Sequence, residues 1–294
     1  MATIYANTYT YKTAFAALKS GDTLILAAGN YGKLNMANKT FADTVTVKGG
    51  SFTGVALSNV SNLTLDGSII KLTPTLTSTQ NTQAVRVVQS DHITITNAKI
   101  SGGLAINGVP QTATALDATG NVLGLPTGKG VNFENSQDCS INNSDITLFH
   151  KGVTFSDSTN IDISFNTIHD LRTSPITGSV LNGLNIEGNH TWTSHPWNFG
   201  GAGDHGDRIH ILTDHESAHR IVIKDNLLEQ GAGEAMLGVY LDDNGQNLGF
   251  HDVTITGNTI IEGTGQGVLL ENVYGTVSDN TLIWSGTGTA ANNT

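Results

Sequence analysis

The sequence predicts an all-β fold, a single parallel β-helix built from coils of about 22–23 residues. Three observations predict it. The first is a repeated phrase in which a short apolar strand runs into Asn and then into another apolar residue. It occurs around Asn166, Asn226, Asn258 and Asn280, in shortened form at Asn189, and at Ile141–Ile146 with Ser144 in the Asn position. The second is spacing: Ser144 to Asn166 is 22 residues, Asn166 to Asn189 is 23 and Asn258 to Asn280 is 22. A unit this short cannot bury its own apolar face, so neighbours must stack. The third is composition, with 34 glycines, 13% charged residues and β-branched strands punctuated by Gly, Asn, Asp, Ser and Thr. A leucine-rich repeat has a similar length, but Leu is not dominant and no helix-length run separates the strands.

The elements follow in order. Tyr11, Phe15 and Leu18 fall on one face of a short helix, expected over 10–19, that covers the first coil and its open strand edge. Weaker copies of the repeat follow at Val47–Phe52, Leu65–Ile70 and Ile95–Ile100. The Asn residues are expected to stack as a turn ladder, each amide bonding the next coil. Two ladder gaps are longer, 37 residues from Asn189 to Asn226 and 32 from Asn226 to Asn258, each one coil plus an insertion (190–206 and 242–251). Residues 1–284 are expected to form one domain and 285–294 a flexible tail. No second cap is evident, which predicts a homo-oligomer contact through the last coil, or removal from a longer chain.

The net charge of −11 argues against nucleic acid as a partner. A polyanionic substrate would need a locally basic cleft or a bridging cation. The single cysteine, Cys139, permits no internal disulfide and is expected to be a buried small hydrophobe. No apolar run is long enough to span a membrane. The N-terminus lacks the features of a signal peptide, so the expectation is export by a signal-independent route, with a cytoplasmic location as the alternative.

Counting back about ten residues from each ladder strand finds a second strand. Its inward residues are Val85, Val131, Val153, Ile176, Ile209, Val239 and Val268, and two places on Val87, Phe133, Phe155, Gly178, Ile211, Leu241 and Leu270. Strand side chains alternate faces, so the residues between form one outward column: Arg86, Asn132, Thr154, Thr177, His210, Tyr240 and Leu269. Arg208 is two residues before His210 and is expected on the same face. Both insertions flank this region. Trp192, His195, Trp197 and His205, with Arg86, Asn132 and Asp242, are therefore candidate substrate-binding residues. Asp242 and Asp243 are candidate ligands for Ca2+, although no cofactor is required by the sequence. His195, His205, Asp204 and Asp207 are of metal-ligand type but match no specific zinc spacing. Asp207 has inward parity and suits a turn-pinning role.

Two stretches resemble known families. Ala14–Gly32, ending in Gly-Asn-Tyr-Gly, resembles the opening of β-helix polysaccharide lyases and alginate epimerases, where a short helix leads to a strand ending in Gly-x-Tyr. Gly203–His210, with the Asn226 coil and Asp252–Asn258, resembles secreted bacterial right-handed β-helix proteins carrying a His-x-Asp-x-Ile-Gln segment. His205, Asp207 and Ile209 match; His210 stands where Gln is usual. The resemblance implies a right-handed, carbohydrate-active solenoid. The epimerase Asp-Pro-His segment is missing, and Asp204-His205-Gly206 precedes Asp242-Asp243, the reverse of the polygalacturonase order.

The leading chemical expectation is a polysaccharide lyase acting on a uronate polymer by β-elimination. Arg208 would neutralise the carboxylate, and His210 and Tyr240 would serve as base and acid. A C5-epimerase would use the same apparatus. A glycoside hydrolase would draw on Asp242, Asp243 and either Asp214 or Glu271, and a sugar-binding or adhesive solenoid would use the groove without catalysis.

Overall fold

The computed structural model describes every residue except 76–77, 105–111, 117–121, 124–125, 195–197, 200–201, 204–205, 231–236, 263–266 and 285–294. The described strands form two long sheets, of 16 and nine strands, whose pairings are all parallel. A full coil contributes three strands, exemplified by a leading strand Lys129–Glu134, a middle strand Gln137–Asn142 and a trailing strand Asp145–Thr147. Leading and middle strands share the larger sheet, which bends between them, and trailing strands make the smaller one. Among the described residues, antiparallel pairs occur only in short excursions such as Gly103–Leu104 with Pro126–Thr127. The N-terminal segment contains a helix, α1 (Tyr11–Ala17), in which Tyr11 and Phe15 pack partly buried against the core; Leu18, just beyond it, is buried.

The inward columns of the leading strands pair as the alternation requires. Val85, Val131, Val153, Ile176, Ile209 and Val239 are successive register partners and fully buried. The column two residues on runs through Phe133 and Phe155 to Gly178, where a Cβ would lie 2.0 Å from the Phe155 carbonyl oxygen. Only glycine fits so close to a neighbouring backbone.

Corners between strands are turned by left-handed residues. The residue before each ladder position has positive φ: Asn143 (49°), Phe165 (56°), Gly188 (63°), Asp225 (56°), Gly257 (68°) and Asp279 (55°). This explains the Gly-Asn and Asp-Asn pairs of the repeat, since Gly, Asn and Asp tolerate that region best. Phe165 is the exception, and its ring is exposed.

The Asn ladder runs inside these corners. Asn189 Oδ1 accepts from both the backbone N–H and the Nδ2 of Asn166 (3.0 Å each), and Asn226, Asn258 and Asn280 repeat the contact coil by coil. Ser144 serves the same column with its hydroxyl, which accepts from the Ala98 N–H at 3.0 Å. A second ladder at the leading–middle corner uses serine alone. Ser90, Ser136 and Ser158 accept from the N–H of Val60, Ser90 and Ser136, at 3.1–3.2 Å. Both ladders satisfy buried donors that a solenoid corner would otherwise strand.

Candidate active site

The outward column is continuous. Ala56, Arg86, Asn132, Thr154, Thr177, His210, Tyr240 and Leu269 are register partners across successive leading strands. Its middle is sheltered: Asn132, Thr154 and Thr177 are buried, with the Thr154 hydroxyl donating to Asn132 Oδ1 at 2.6 Å. A cavity of about 280 Å³ opens there, bordered by Lys129 and Lys151 on one side and Asp214 and Asn244 on the other. Burial pulls the Lys129 ammonium below its usual range, against the opposing effect of Glu134. Arg86 pairs with Glu134 at 3.6 Å, so its charge is partly matched within the protein.

His210 and Tyr240 come together as expected. Their rings stack in near-parallel planes, 4.8 Å apart and 12° inclined. Carboxylates face both nitrogens of His210, with Asp207 Oδ2 3.5 Å from Nδ1 and Asp242 Oδ2 3.3 Å from Nε2. Asp207 is buried, and its other oxygen accepts the Leu237 N–H at 3.1 Å, so it pins the turn and the imidazole at once. The Tyr240 hydroxyl donates to Glu271 Oε1 at 2.9 Å. Burial first, then Glu271 and Asp242, raise the phenol well above its ordinary range, so it remains a proton donor at neutral pH.

Asp242 and Glu271 occupy the next outward column. Leu241 pairs with Leu270, and the Glu271 N–H donates to the Leu241 carbonyl at 2.9 Å, which sets the two acids side by side on adjacent rungs. Rungs are about 4.8 Å apart. Asp242 is oriented by His210 and by the Asn244 N–H, which reaches its Oδ1 at 2.7 Å. The same alternation carried two residues past the His210–Tyr240 column reaches this pair.

Arg208 is not where its parity placed it. It is fully buried, and its guanidinium donates to Ser194 Oγ at 2.7 Å. Alternation fails because Arg208 precedes the strand Ile209–Leu212 and belongs to the corner. At the corresponding corner positions Gly130, Gly152 and Gly238, an added Cβ would strike core residues Ile146, Ile168 and Ile260. That position points into the bore, so Arg208 cannot neutralise a carboxylate in the groove.

The remaining candidates separate. Trp192 lies on the regular trailing strand His190–Ser194, not in an insertion. It stacks on His169 (4.5 Å, 5°) and leans on His190 (4.3 Å), so it is a packed ring. His195, Trp197 and His205, with Asp204, lie outside the described residues. Asp243 points away from Asp242 and is buried. One of its oxygens accepts from Thr213, Leu248 and Gly249 and the other from Asn272, at 2.8–3.1 Å. Desolvation raises its carboxyl, but these bonds outweigh it and hold the group below the usual range. Asp242 and Asp243 therefore do not converge on one cation. Asp157, Asp214 and His215 do bring ligand atoms within 4.8 Å of one another. His215 already faces both carboxylates, at 3.4 and 3.6 Å, which accounts for the cluster as exposed ion pairs. Cys139 is buried and its thiol is pushed up to about 12, first by desolvation. Among the described residues no helix is long and apolar enough to cross a membrane.

Comparisons with known proteins agree with this architecture. The family described as "Right handed beta helix region" matches residues 129–294. Among solved structures, an alginate lyase from Paenibacillus sp. str. FPU-7 is 16% identical, with 98% of each chain covered and a TM-score of 0.54. A family 28 exopolygalacturonase from Yersinia enterocolitica is 10% identical, covering 98% of this chain and 76% of its own, with a TM-score of 0.58. PfbA, a surface adhesin of Streptococcus pneumoniae, is 12% identical, covering 92% and 79%, with a TM-score of 0.50. No curated sequence matches. At these identities the structural likeness concerns the fold, and the three neighbours include a lyase, a hydrolase and an adhesin on it.

Proposed function

The chain belongs to the right-handed β-helix family, and we propose that it cleaves a polysaccharide laid along the outward column, by retaining glycoside hydrolysis at Asp242 and Glu271. The observation that carries this reading is the side-by-side placement of the two carboxylates on adjacent rungs. The backbones of the two acids are one rung, about 4.8 Å, apart, and the short carboxyl separation of about 5–5.5 Å that a retaining mechanism needs is the geometry this reading requires of their side chains. Asp242, oriented by His210 and Asn244, would attack the anomeric carbon, while Glu271 protonates the departing oxygen. Glu271 would then take a proton from water as water displaces Asp242. Tyr240 would hold Glu271 in position, and Asp207 would hold His210. The buried position of Arg208 favours hydrolysis over elimination, because it takes the guanidinium expected to neutralise a uronate carboxylate out of the groove.

β-Elimination is the second reading, favoured by the stacked His210–Tyr240 pair. One panel of neutral and uronate polysaccharides separates the two. Hydrolysis yields new reducing ends with retained anomeric configuration by NMR, and elimination yields absorbance near the unsaturated-uronate band at about 235 nm, where an unsaturated product conjugates with its carboxylate. Asp242→Asn and Glu271→Gln should each lower hydrolysis on the order of 10²–10⁴-fold. Full activity in both variants would rule out this site, and affinity without turnover would leave a binding solenoid.

A further inference from the structure

A second cleft, of about 660 Å³, lies at the other end of the larger sheet, between α1 and the first leading strand. The strand Lys33–Lys48 pairs through residues 33–40 with Gly54–Ser61 on one side. On its other side, pairing with Thr23–Ile25 begins only at Thr46. Residues 33–39 are thus an open edge, and among the described residues no strand pairs with their outward N–H and C=O groups. Helix α1 stands beside this edge. Tyr11 fixes it there, its hydroxyl donating to the Tyr31 carbonyl at 2.8 Å and its ring edge-on to Tyr31 at 5.0 Å. The mouth is open at Gly32, where an added Cβ would meet nothing within 4 Å.

The lining has two chemistries. Phe15, Leu34 and Met36 give it an apolar floor, and Lys12, Lys33 and Lys39 give it a cationic rim with no acidic residue. The bias extends beyond the cleft. Residues 1–100 carry eight Lys and Arg against four Asp and no Glu, in a chain whose net charge is −11. Open edges of this kind are templates for an added strand.

We propose that this cleft is a strand-addition site for an extended acidic peptide. The peptide backbone pairs with the 33–39 edge, alternate apolar side chains enter between Phe15 and Met36, and the acidic ones meet the lysines. The site is separate from the His210 centre, because Asn35 and His210 are six rungs apart along the column, about 29 Å at the strand spacing.

Fluorescence anisotropy of a labelled, eight-residue alternating Val/Glu peptide titrated with the full chain tests the assignment. Saturable binding in the micromolar range is expected, weakened at high salt. The Lys33→Glu/Lys39→Glu variant, at an unchanged urea midpoint, should bind at least about tenfold more weakly. On the wild-type chain, a peptide N-methylated at alternate residues and a Val/Lys peptide should both fail to bind. These two arms stand even if the lysine variant does not fold. No binding of the Val/Glu peptide would overturn the proposal, and so would equal binding of its N-methylated form. Binding of polygalacturonate at Lys33 and Lys39 without the peptide would assign the cleft to an acidic glycan instead.

Discussion

Replacing Asn226 by Ala tests whether the ladder holds the coils together. Asn226 is 1% exposed. Its Oδ1 accepts from the N–H and Nδ2 of Asn189 (2.9 and 3.0 Å), and its Nδ2 donates to the Ile186 and Lys224 carbonyls and to Asn258 Oδ1 (2.8–2.9 Å). Some partners keep another bond: Asn189 Nδ2 still reaches the Ile163 carbonyl, and Asn258 Oδ1 still accepts from the backbone N–H of residue 226. The Asn189 N–H loses its acceptor and is left unsatisfied, which costs about 1–3 kcal/mol. The Ile186 carbonyl loses its side-chain donor, a bond worth about 0.5–1.5 kcal/mol, and keeps the sheet bond that its strand's pairing with Ile223 gives it. With a small cavity added, the expected loss is about 3–5 kcal/mol, a large share of the roughly 5–15 kcal/mol that stabilises a typical domain. Asn226→Ser is the control, because Ser144 shows that a hydroxyl can accept the corner N–H in this column; it should recover about half the loss, returning one of the two principal bonds. Urea unfolding followed by circular dichroism, with an unchanged m value, measures both. A loss below about 1 kcal/mol for the alanine variant would refute the ladder's energetic role. So would a serine variant no better than alanine.

Asp243→Asn should destabilise the chain in a pH-dependent way. The folded carboxyl is held below its ordinary range, so its contribution is full above about pH 4, the unfolded value. It fades as pH falls through the lowered folded value. The gap in urea midpoint between wild type and variant should therefore be flat from pH 7 to about 4 and close below that; a gap that widens with acid would contradict the assignment. Native Cys139 should resist iodoacetamide at pH 8, because its thiol is buried and raised to about 12. It should label once urea unfolds the chain, and rapid native labelling, read by mass spectrometry, would contradict its place in the core.

The repeated Asn and the strand alternation were enough to set the inward residues of the leading strands and the outward column, including the His210–Tyr240 stack. Both depend on periodicity, which the sequence carries openly. Two features escaped because they depend on corners. Arg208 was assigned by strand parity, but parity ends where the strand does, and the glycines at Gly130, Gly152 and Gly238 were the available sign that this position turns inward. The serine ladder through Ser90, Ser136 and Ser158 was missed because serine is common in any loop, and its irregular spacing hides the shared corner. The sequence offers Glu271, beside Asp214, as one possible partner for Asp242 and Asp243 without choosing between them. The pairing of Glu271 with Asp242 required carrying the register into a residue just beyond its strand.

The buried Arg208 bears on how the solenoid finds its alignment. A chain of near-identical coils is almost symmetric under translation, and shifting one coil past its neighbour would again match isoleucine to isoleucine and asparagine to asparagine. A guanidinium in the bore breaks that symmetry. It fits where Ser194 receives it, and at the equivalent positions Gly130, Gly152 and Gly238 the space beyond the backbone is already taken by isoleucine. A slipped threading would leave this cation without its hydroxyl in an apolar interior, at a cost of several kcal/mol. One awkward residue thus gives an otherwise interchangeable stack a fixed point from which its coils are counted.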